Sequence, residues 1–165
     1  MSGASDLLQT RIVELLPKLR RFARALTRNP HDADDLVQLS LERALRNLQQ
    51  WRADSRLDSW LYGILKNAWI DELRARGRHE RLFDTAEQSQ SVPDPGVDAG
   101  AMLAIEQALE RLPEEQRVAV ALVLIEGLPY KEAAQIIGVP MGTLTSRLAR
   151  GREALQEMLE PGDAE

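Results

Sequence analysis

The sequence contains no cysteine, which excludes a disulfide framework and catalysis by a thiolate. Its two histidines, His31 and His79, lie far apart and outside any CxxC or HxxxH spacing. Because structural zinc needs clustered sulfur and nitrogen ligands, we expect no metal site. The absence of cysteine suits a cytosolic protein.

Long hydrophobic runs are also missing. The longest covers residues 118–125, which is far short of the roughly 20 apolar residues that cross a bilayer. The first residues, MSGASDLLQTRIVELL, place no basic segment before an apolar stretch, so they do not resemble a signal peptide. We therefore expect a cytoplasmic protein that does not insert into a membrane.

An overall basic charge is lacking as well. The chain carries 21 basic and 26 acidic side chains, a net charge of −5. A protein that coats DNA nonspecifically is basic throughout. Residues 1–80 carry 14 basic and 11 acidic side chains, whereas residues 101–165 carry 6 and 11. Any contact with nucleic acid must therefore be local or assisted by a partner.

Residues 81–100, RLFDTAEQSQSVPDPGVDAG, interrupt the hydrophobic periodicity of the chain. Prolines, glycines, serines and scattered acids are typical of a linker. We predict two small helical domains, residues 6–80 and 101–160, joined by this flexible linker.

Three helices are predicted in the first domain, at about residues 8–26, 33–50 and 58–77. Pro17 could kink or restart the first helix, Asp32 could cap the second, and Gly77 should end the third. The apolar side chains expected in the core are Leu8, Ile12, Leu15, Leu16, Leu19, Ala23, Leu26, Leu36, Val37, Leu41, Ala44, Leu45, Leu48, Trp60, Leu61, Ile64, Leu65, Ala68 and Leu73.

The second domain also reads as helical. Residues 102–112 form one amphipathic segment, and Pro113 suits the first position of the next helix. The run VAVALVLI alone is compatible with a strand, but its acidic, proline-led start and the stop at Gly127 favour a helix. No segment predicts a sheet, so the expected fold class is all-α.

A helix-turn-helix is predicted from Tyr130 onward, in YKEAAQIIGVPMGTLTSRLARGREAL. Ala134 is small where two helices must approach, Gly138 permits the tight turn, and Val139 and Leu144 fill the core. In this motif the second helix enters the major groove of DNA. Its outward side chains would be Thr145, Ser146, Ala149, Arg150 and Arg152.

The alternative to a DNA-binding motif is a helical hairpin with a solvated basic face. Against it stands the absence of any acidic residue between Glu132 and Glu153, although the domain is acidic. One position departs from generic repressors: Arg147 stands where they carry an apolar residue, and Leu148 takes that role.

The segment VPMGTLTSRLARGREAL resembles region 4.2 of bacterial extracytoplasmic-function sigma factors, and LERLPEEQRVAVALVLIEGLPYKEAAQIIGV resembles region 4.1. DADDLVQLSLERAL is similar to region 2.2, and SRLDSWLYGILKNAWIDELRAR to regions 2.3 and 2.4. The segments occur in the family's order over residues 8–158. The resemblance implies a promoter-specificity factor for a stress or environmental response, which an anti-sigma factor holds inactive.

The resemblance also implies which residues meet which partner. On the second helix Asp35, Gln38 and Glu42 form a polar ridge that would dock on the β′ clamp helices of core RNA polymerase. Without the resemblance this ridge would read as an ordinary solvated face. The β flap of the polymerase is a further expected contact.

Two sets of residues are expected at promoter DNA. Asn67 and Asp71 share a helix face and could bond an extruded base of the −10 element, while nearby cations take phosphates. The −10 set is Arg52, Ser55, Arg56, Lys66, Asn67, Asp71, Arg74 and Arg76. The −35 set is Lys131, Thr143, Thr145, Ser146, Arg147, Ala149, Arg150 and Arg152.

Some positions depart from the family or stay open. Gly63 and Thr145 replace residues that are often basic in the family, and the small Ala149 has little side chain for base methyls. Trp60 and Trp69 invite a base-stacking role, but tryptophans at helical spacing are more often core. Trp51 stays open between the two roles.

Two other classes of function compete with this interpretation. An enzyme is not expected, because the sequence offers no nucleophile–base pair, phosphate loop or cofactor motif. The cluster Asp32, Asp34 and Asp35 could suggest a cation site, but acids at a helix start favour capping. The stronger alternative is a stand-alone helix-turn-helix regulator, which would have no use for residues 51–76.

Overall fold

The computed structural model describes residues 2–80 and 99–160, and within them every regular element is helical. This confirms the all-α prediction. The α-helices are α1 (Ser2–Thr27), α2 (Pro30–Arg46), α3 (Leu57–Glu80), α4 (Ala99–Arg111), α5 (Glu114–Val120), α6 (Tyr130–Ile137) and α7 (Met141–Leu159). The central part of the predicted linker, residues 81–98, lies outside the described residues, whereas Ala99 and Gly100 belong to α4.

Helices α1, α2 and α3 pack around one apolar core in the first domain. Phe22, Leu26, Leu36 and Leu65 are at most 1% exposed, and the ring of Phe22 meets that of Tyr62 edge to face at 5.2 Å. Most of the predicted core positions are buried or half-buried. Leu45 is an exception, because it is 49% exposed near the end of α2.

The helices of the first domain differ from the predictions at several places. Helix α1 continues through Pro17 without interruption. Asn29 rather than Asp32 caps α2, because its side-chain oxygen accepts from the backbone N–H of His31 at 2.8 Å. Helix α3 continues past Gly77 to its end at Glu80. A glycine inside a helix costs only about 1 kcal/mol relative to alanine, which packing elsewhere along a long helix can offset.

The predicted second helix also ends early. Helix α2 stops at Arg46, and a short 3₁₀ turn, Leu48–Gln50, leads to the loop before α3. The backbone N–H of Asn47 bonds the carbonyl of Ala44 at 3.1 Å, the i→i−3 spacing that tightens a last helical turn.

The second domain contains a wide helical turn. The run from residue 118 is helical, as predicted, but Ala121–Ile125 forms a π-helical turn. The backbone N–H of Glu126 bonds the carbonyl of Ala121 at 2.9 Å, which is the i→i−5 spacing. Gly127 follows with a φ of +70°, a conformation that glycine adopts without strain. The wide turn thereby sets the direction in which Glu126 leaves the helix.

The turn of the helix-turn-helix has the predicted form. Gly138 has a φ of +80°, and its N–H bonds the carbonyl of Ala134 at 2.8 Å. Leu144 and Leu148 are buried. Helix α7 packs so tightly on α5 that a Cβ at Gly151 would lie 2.7 Å from a methyl of Val120. The second helix of the motif is therefore fixed on its domain.

Arg117 stabilises the corner between α4 and α5. The residue is 5% exposed, and its guanidinium pairs with Glu114 at 2.8 Å. Burial lowers the pKa of Arg117, and Glu114 opposes that shift. The guanidinium donates to the backbone carbonyls of Leu109, Glu110, Leu112 and, across the domains, Leu26. Arg117 therefore caps the end of α4 and reaches the end of α1.

Candidate nucleic-acid and polymerase interfaces

Helix α7 presents a continuous polar and basic surface to solvent. Five predicted −35 residues are exposed on it, and we call this group the reading face: Thr145, Ser146, Ala149, Arg150 and Arg152. Opposite them, Leu144 and Leu148 hold the helix to its domain. A helix anchored on one side with hydroxyls and guanidinium groups on the other has the shape and chemistry to enter a major groove.

The other predicted −35 residues lie around this face. Lys131 is exposed at the start of α6, and Thr143 is half-buried in the first turn of α7. Arg147 is half-buried, with its Nε 3.8 Å from Glu115. The hydroxyl of Thr145 donates to the carbonyl of Met141 at 2.8 Å, so only its remaining lone pairs and methyl are available to DNA.

The loop before α3 holds three predicted −10 residues, and all of them are exposed. The hydroxyl of Ser55 donates to the carbonyl of Arg52 at 2.8 Å, which closes a turn. Arg56 forms a bidentate ion pair with Asp58, in which its Nε and Nη2 donate to the two carboxylate oxygens at 3.1 and 2.7 Å. The hydrogen bond to Asp58 is the main cause that raises the pKa of Arg56.

Helix α3 carries the remaining −10 residues, and they do not share one environment. Asn67 and Arg74 are exposed. Asp71 is exposed and pairs with Arg43 at 3.1 Å. Arg76 bonds Asp32 at 3.0 Å.

Lys66 is the least exposed of the predicted −10 residues. It is only 9% exposed, and burial lowers its pKa. Most of its surface is therefore covered by the protein, whereas the adjacent Asn67 is exposed. Helical spacing alone did not separate Lys66 from the exposed cations of α3.

Two of the three tryptophans, Trp60 and Trp69, lie on α3. Trp69 is 3% exposed, and its indole N–H donates to Glu114 at 3.0 Å. Trp60 is half-buried against the core. Both therefore have the expected core placement.

Trp51 lies beside the loop, half-buried, and its indole N–H has no acceptor among the described residues. The guanidinium of Arg11 stands 5.6 Å from its ring centroid. The same arginine, together with Leu15 and Arg56, lines part of a cleft of about 280 Å³. The contact of Arg11 with Trp51 was not predicted from the sequence, because the two residues are 40 positions apart along the chain and no local pattern links them.

The polar ridge of α2 faces solvent. Asp35, Gln38 and Glu42 are all exposed, while Leu36 and Val37 on the other side are buried. Near them, Asp32 is paired with Arg76. Within residues 2–80 and 99–160, no group of acidic or histidine side chains has a metal-binding arrangement.

In the described part of the chain, none of the helices combines the length and apolar character that a membrane span requires.

Comparison with known proteins identifies the family. Residues 12–79 match the model of Sigma-70 region 2, and residues 102–155 match that of Sigma-70, region 4. The ECF RNA polymerase sigma factor EcfG of Rhodopseudomonas palustris is 38% identical over 98% of this chain and 90% of its own length. The chain is an ECF sigma factor of the sigma-70 family.

Two further relatives agree with this assignment. The ECF RNA polymerase sigma factor SigM of Mycobacterium tuberculosis is 37% identical over 86% of this chain and 71% of its own length. Among solved structures, the sigma factor RpoE of Bartonella quintana, crystallised with the anti-sigma factor NepR, superposes with a TM-score of 0.85. It is 32% identical, and the match covers 94% of this chain and 98% of that one.

As an ECF sigma factor, the chain acts in transcription initiation, with RNA polymerase and promoter DNA as its partners. Sigma factors are specificity subunits rather than catalysts. The stand-alone regulator is thereby disfavoured, because a match to region 2 accounts for the first domain.

Proposed function

We propose that this sigma factor reads the −35 element with the reading face of α7 and captures the −10 element with the loop 52–56 and α3. The observation that carries the proposal is that all five residues of the reading face are exposed, on a helix whose opposite side is buried. No acidic side chain stands on this face between Met141 and Arg152. Phosphates and base edges can therefore approach it without repulsion.

Polymerase binding is assigned to the ridge of Asp35, Gln38 and Glu42. Its exposed carboxylates and amide can accept and donate hydrogen bonds to basic partner side chains on the β′ clamp helices. The net charge of −5 supports this assignment. If the polymerase supplies most of the nonspecific attraction to DNA, the sigma factor itself need not be basic. We place the protein in the cytoplasm, where the polymerase is.

An anti-sigma factor is the proposed inhibitor. The support is the likeness to the Bartonella quintana sigma factor that was crystallised with such a partner. We infer that the inhibitor of this chain covers the α2 ridge together with a DNA-binding surface. Core polymerase and inhibitor should then exclude each other in competition pull-downs, and a ternary complex that still opens promoters would refute occlusion.

The promoter-reading role is tested by transcription with purified core polymerase. Arg150→Ala should lower initiation at promoters that depend on a −35 element, whereas Arg111→Ala should not. Arg111 is an exposed arginine on α4 of the same domain, so it controls for loss of charge. Equal activity of the two variants would contradict the assignment of α7.

A further inference from the structure

We propose that the two domains of the free protein hold each other closed through carboxylates of the second domain, and that this closure occupies Arg56 of the −10 loop. The contacts concerned are Glu126 with Arg21 and Tyr62, and Glu132 with Arg56 and Ser59. We call them the interdomain latch. The inference rests on the proposed function in one respect only, which is the role of Arg56 at the −10 element.

Glu126 is the buried part of the latch. Its side chain is 0% exposed, and its two oxygens have different partners. One accepts from the Nε of Arg21 at 2.5 Å, and the other accepts from the hydroxyl of Tyr62 at 2.8 Å. The hydrogen bond to Glu126 is the main cause that raises the pKa of Arg21. Both oxygens of this carboxylate are therefore bonded by the other domain.

The backbone around Glu126 positions it for this contact. The π-helical turn Ala121–Ile125 precedes it, and Gly127 with its positive φ follows. Single π-helical turns are rare and occur frequently at functional sites. On the opposite side, Tyr62 is 1% exposed and its ring packs on Phe22, so the hydroxyl is fixed.

Glu132 is the exposed part of the latch. One of its oxygens accepts from Arg56 at 2.9 Å and from the hydroxyl of Ser59 at 3.3 Å. A carboxylate oxygen binds a guanidinium as a phosphate oxygen does. While Glu132 holds Arg56, that guanidinium is less available to a DNA backbone.

Two more contacts join the same faces. The carboxylate of Glu114 accepts from the indole of Trp69 at 3.0 Å, and Arg28 pairs with Glu110. In every one of these pairs the second domain supplies the acid and the first domain the donor. The distribution follows the charges of the sequence, in which residues 1–80 carry 14 basic and 11 acidic side chains and residues 101–165 carry 6 and 11. Such complementarity favours one docked arrangement.

Burial decides which contact holds the latch. An exposed ion pair contributes little, whereas a buried carboxylate that loses its partners is left as an uncompensated charge. Arg21 is 52% exposed, but the carboxylate of Glu126 is 0% exposed, so the cost falls on Glu126. Arg56 is half-exposed and Glu132 partly exposed, so polymerase or DNA can displace that pair first. Glu126 should therefore keep the domains closed, while Glu132 controls access to the −10 loop. The reading face and the α2 ridge remain exposed throughout.

The distance between the domains in the free chain tests the latch. The chain has no cysteine, so Gln49→Cys and Gln156→Cys, at two exposed positions, introduce unique sites for a donor and an acceptor dye. The wild type should show one short-distance population at low salt. Glu126→Gln should raise the ratio of open to closed molecules at least about tenfold, which corresponds to about 1.4 kcal/mol.

Further variants separate the two parts of the latch. Glu132→Gln should change the distance less than Glu126→Gln, but should increase binding of a labelled single-stranded random 20-mer. Glu115→Gln is the matched control, because Glu115 is 72% exposed and pairs with Arg147 inside its own domain. If Glu126→Gln fails to give a helical circular-dichroism spectrum, Tyr62→Phe removes the same bond and should also open the chain.

An open wild type at low salt would overturn the proposal, as would folded Glu126→Gln and Tyr62→Phe variants that stay closed. These distances are measured without polymerase, so they do not depend on promoter activity. Conversely, a wild type that fails to direct polymerase would refute the proposed promoter role while leaving the measured closure unaffected.

Discussion

Replacement of Arg117 should destabilise the protein more than any exposed substitution. This guanidinium is 5% exposed and donates to four backbone carbonyls in addition to Glu114. In Arg117→Ala these acceptors lose their donor, and Glu114 loses its ion-pair partner. Truncation of one partner in a buried charged network costs about 3–5 kcal/mol. That is a large part of the roughly 5–15 kcal/mol that keeps a typical protein folded.

The conservative variant gives a graded result. Lysine keeps the charge but offers three donors from one point instead of the planar fork of five. Arg117→Lys should therefore lose about one or two of the hydrogen bonds. Each net hydrogen bond to a charged group contributes about 1.5–3 kcal/mol to the free energy of unfolding. Arg111→Ala, on the exposed side of α4, should change the free energy of unfolding by less than about 0.5 kcal/mol.

Urea unfolding with two signals measures these losses and locates them. All three tryptophans, Trp51, Trp60 and Trp69, belong to the first domain, so their fluorescence reports mainly that domain, with Trp69 also sensing its bond to Glu114. Circular dichroism of the helices at ~220 nm reports both domains. Arg117→Ala should move the dichroism transition to lower urea more than the fluorescence transition. A loss below about 1 kcal/mol would refute the capping role of this side chain.

Three shorter predictions concern the turn, the reading face and the ridge. Gly138→Ala should cost about 1 kcal/mol in thermal unfolding, because its φ of +80° strains any residue with a Cβ, and an unchanged melting temperature would contradict this. Arg150→Ala should weaken −35 binding. Ser146→Ala should change base preference more than affinity, with a loss of discrimination of about 1–3 kcal/mol at the affected base pair. Selection from randomised −35 elements distinguishes the two effects. The double charge reversal Asp35→Lys and Glu42→Lys should abolish co-purification with core polymerase, and undiminished binding would remove the ridge from the polymerase interface.

The sequence predicts those parts of the fold that depend on local chemistry. The left-handed Gly138 follows from glycine at the end of a short amphipathic helix, and the exposure of Ser146 and Arg150 follows from the spacing of Leu144 and Leu148. These features depend on residues that lie within a few positions of one another along the chain. A single stretch of sequence is therefore enough to predict them.

Other features depend on contacts between distant segments, and local patterns did not reveal them. The cap of α2 is Asn29 because its side chain reaches the first free backbone N–H groups, whereas Asp32 was already inside the helix. Lys66 is only 9% exposed, although it lies on the same helix as the exposed Asn67 and Arg74. The direction of Glu126 depends on a wide helical turn that no residue pattern predicts, and its partners are 64 and 105 positions away.

The most direct test of the sigma-factor role is run-off transcription with core polymerase and fragments of genomic DNA. The protein should direct initiation at specific start sites that core enzyme alone does not use, and it should bind the same promoter duplexes only weakly without polymerase. Tight, sequence-specific duplex binding by the protein alone, with no effect on transcription by core polymerase, would contradict the account.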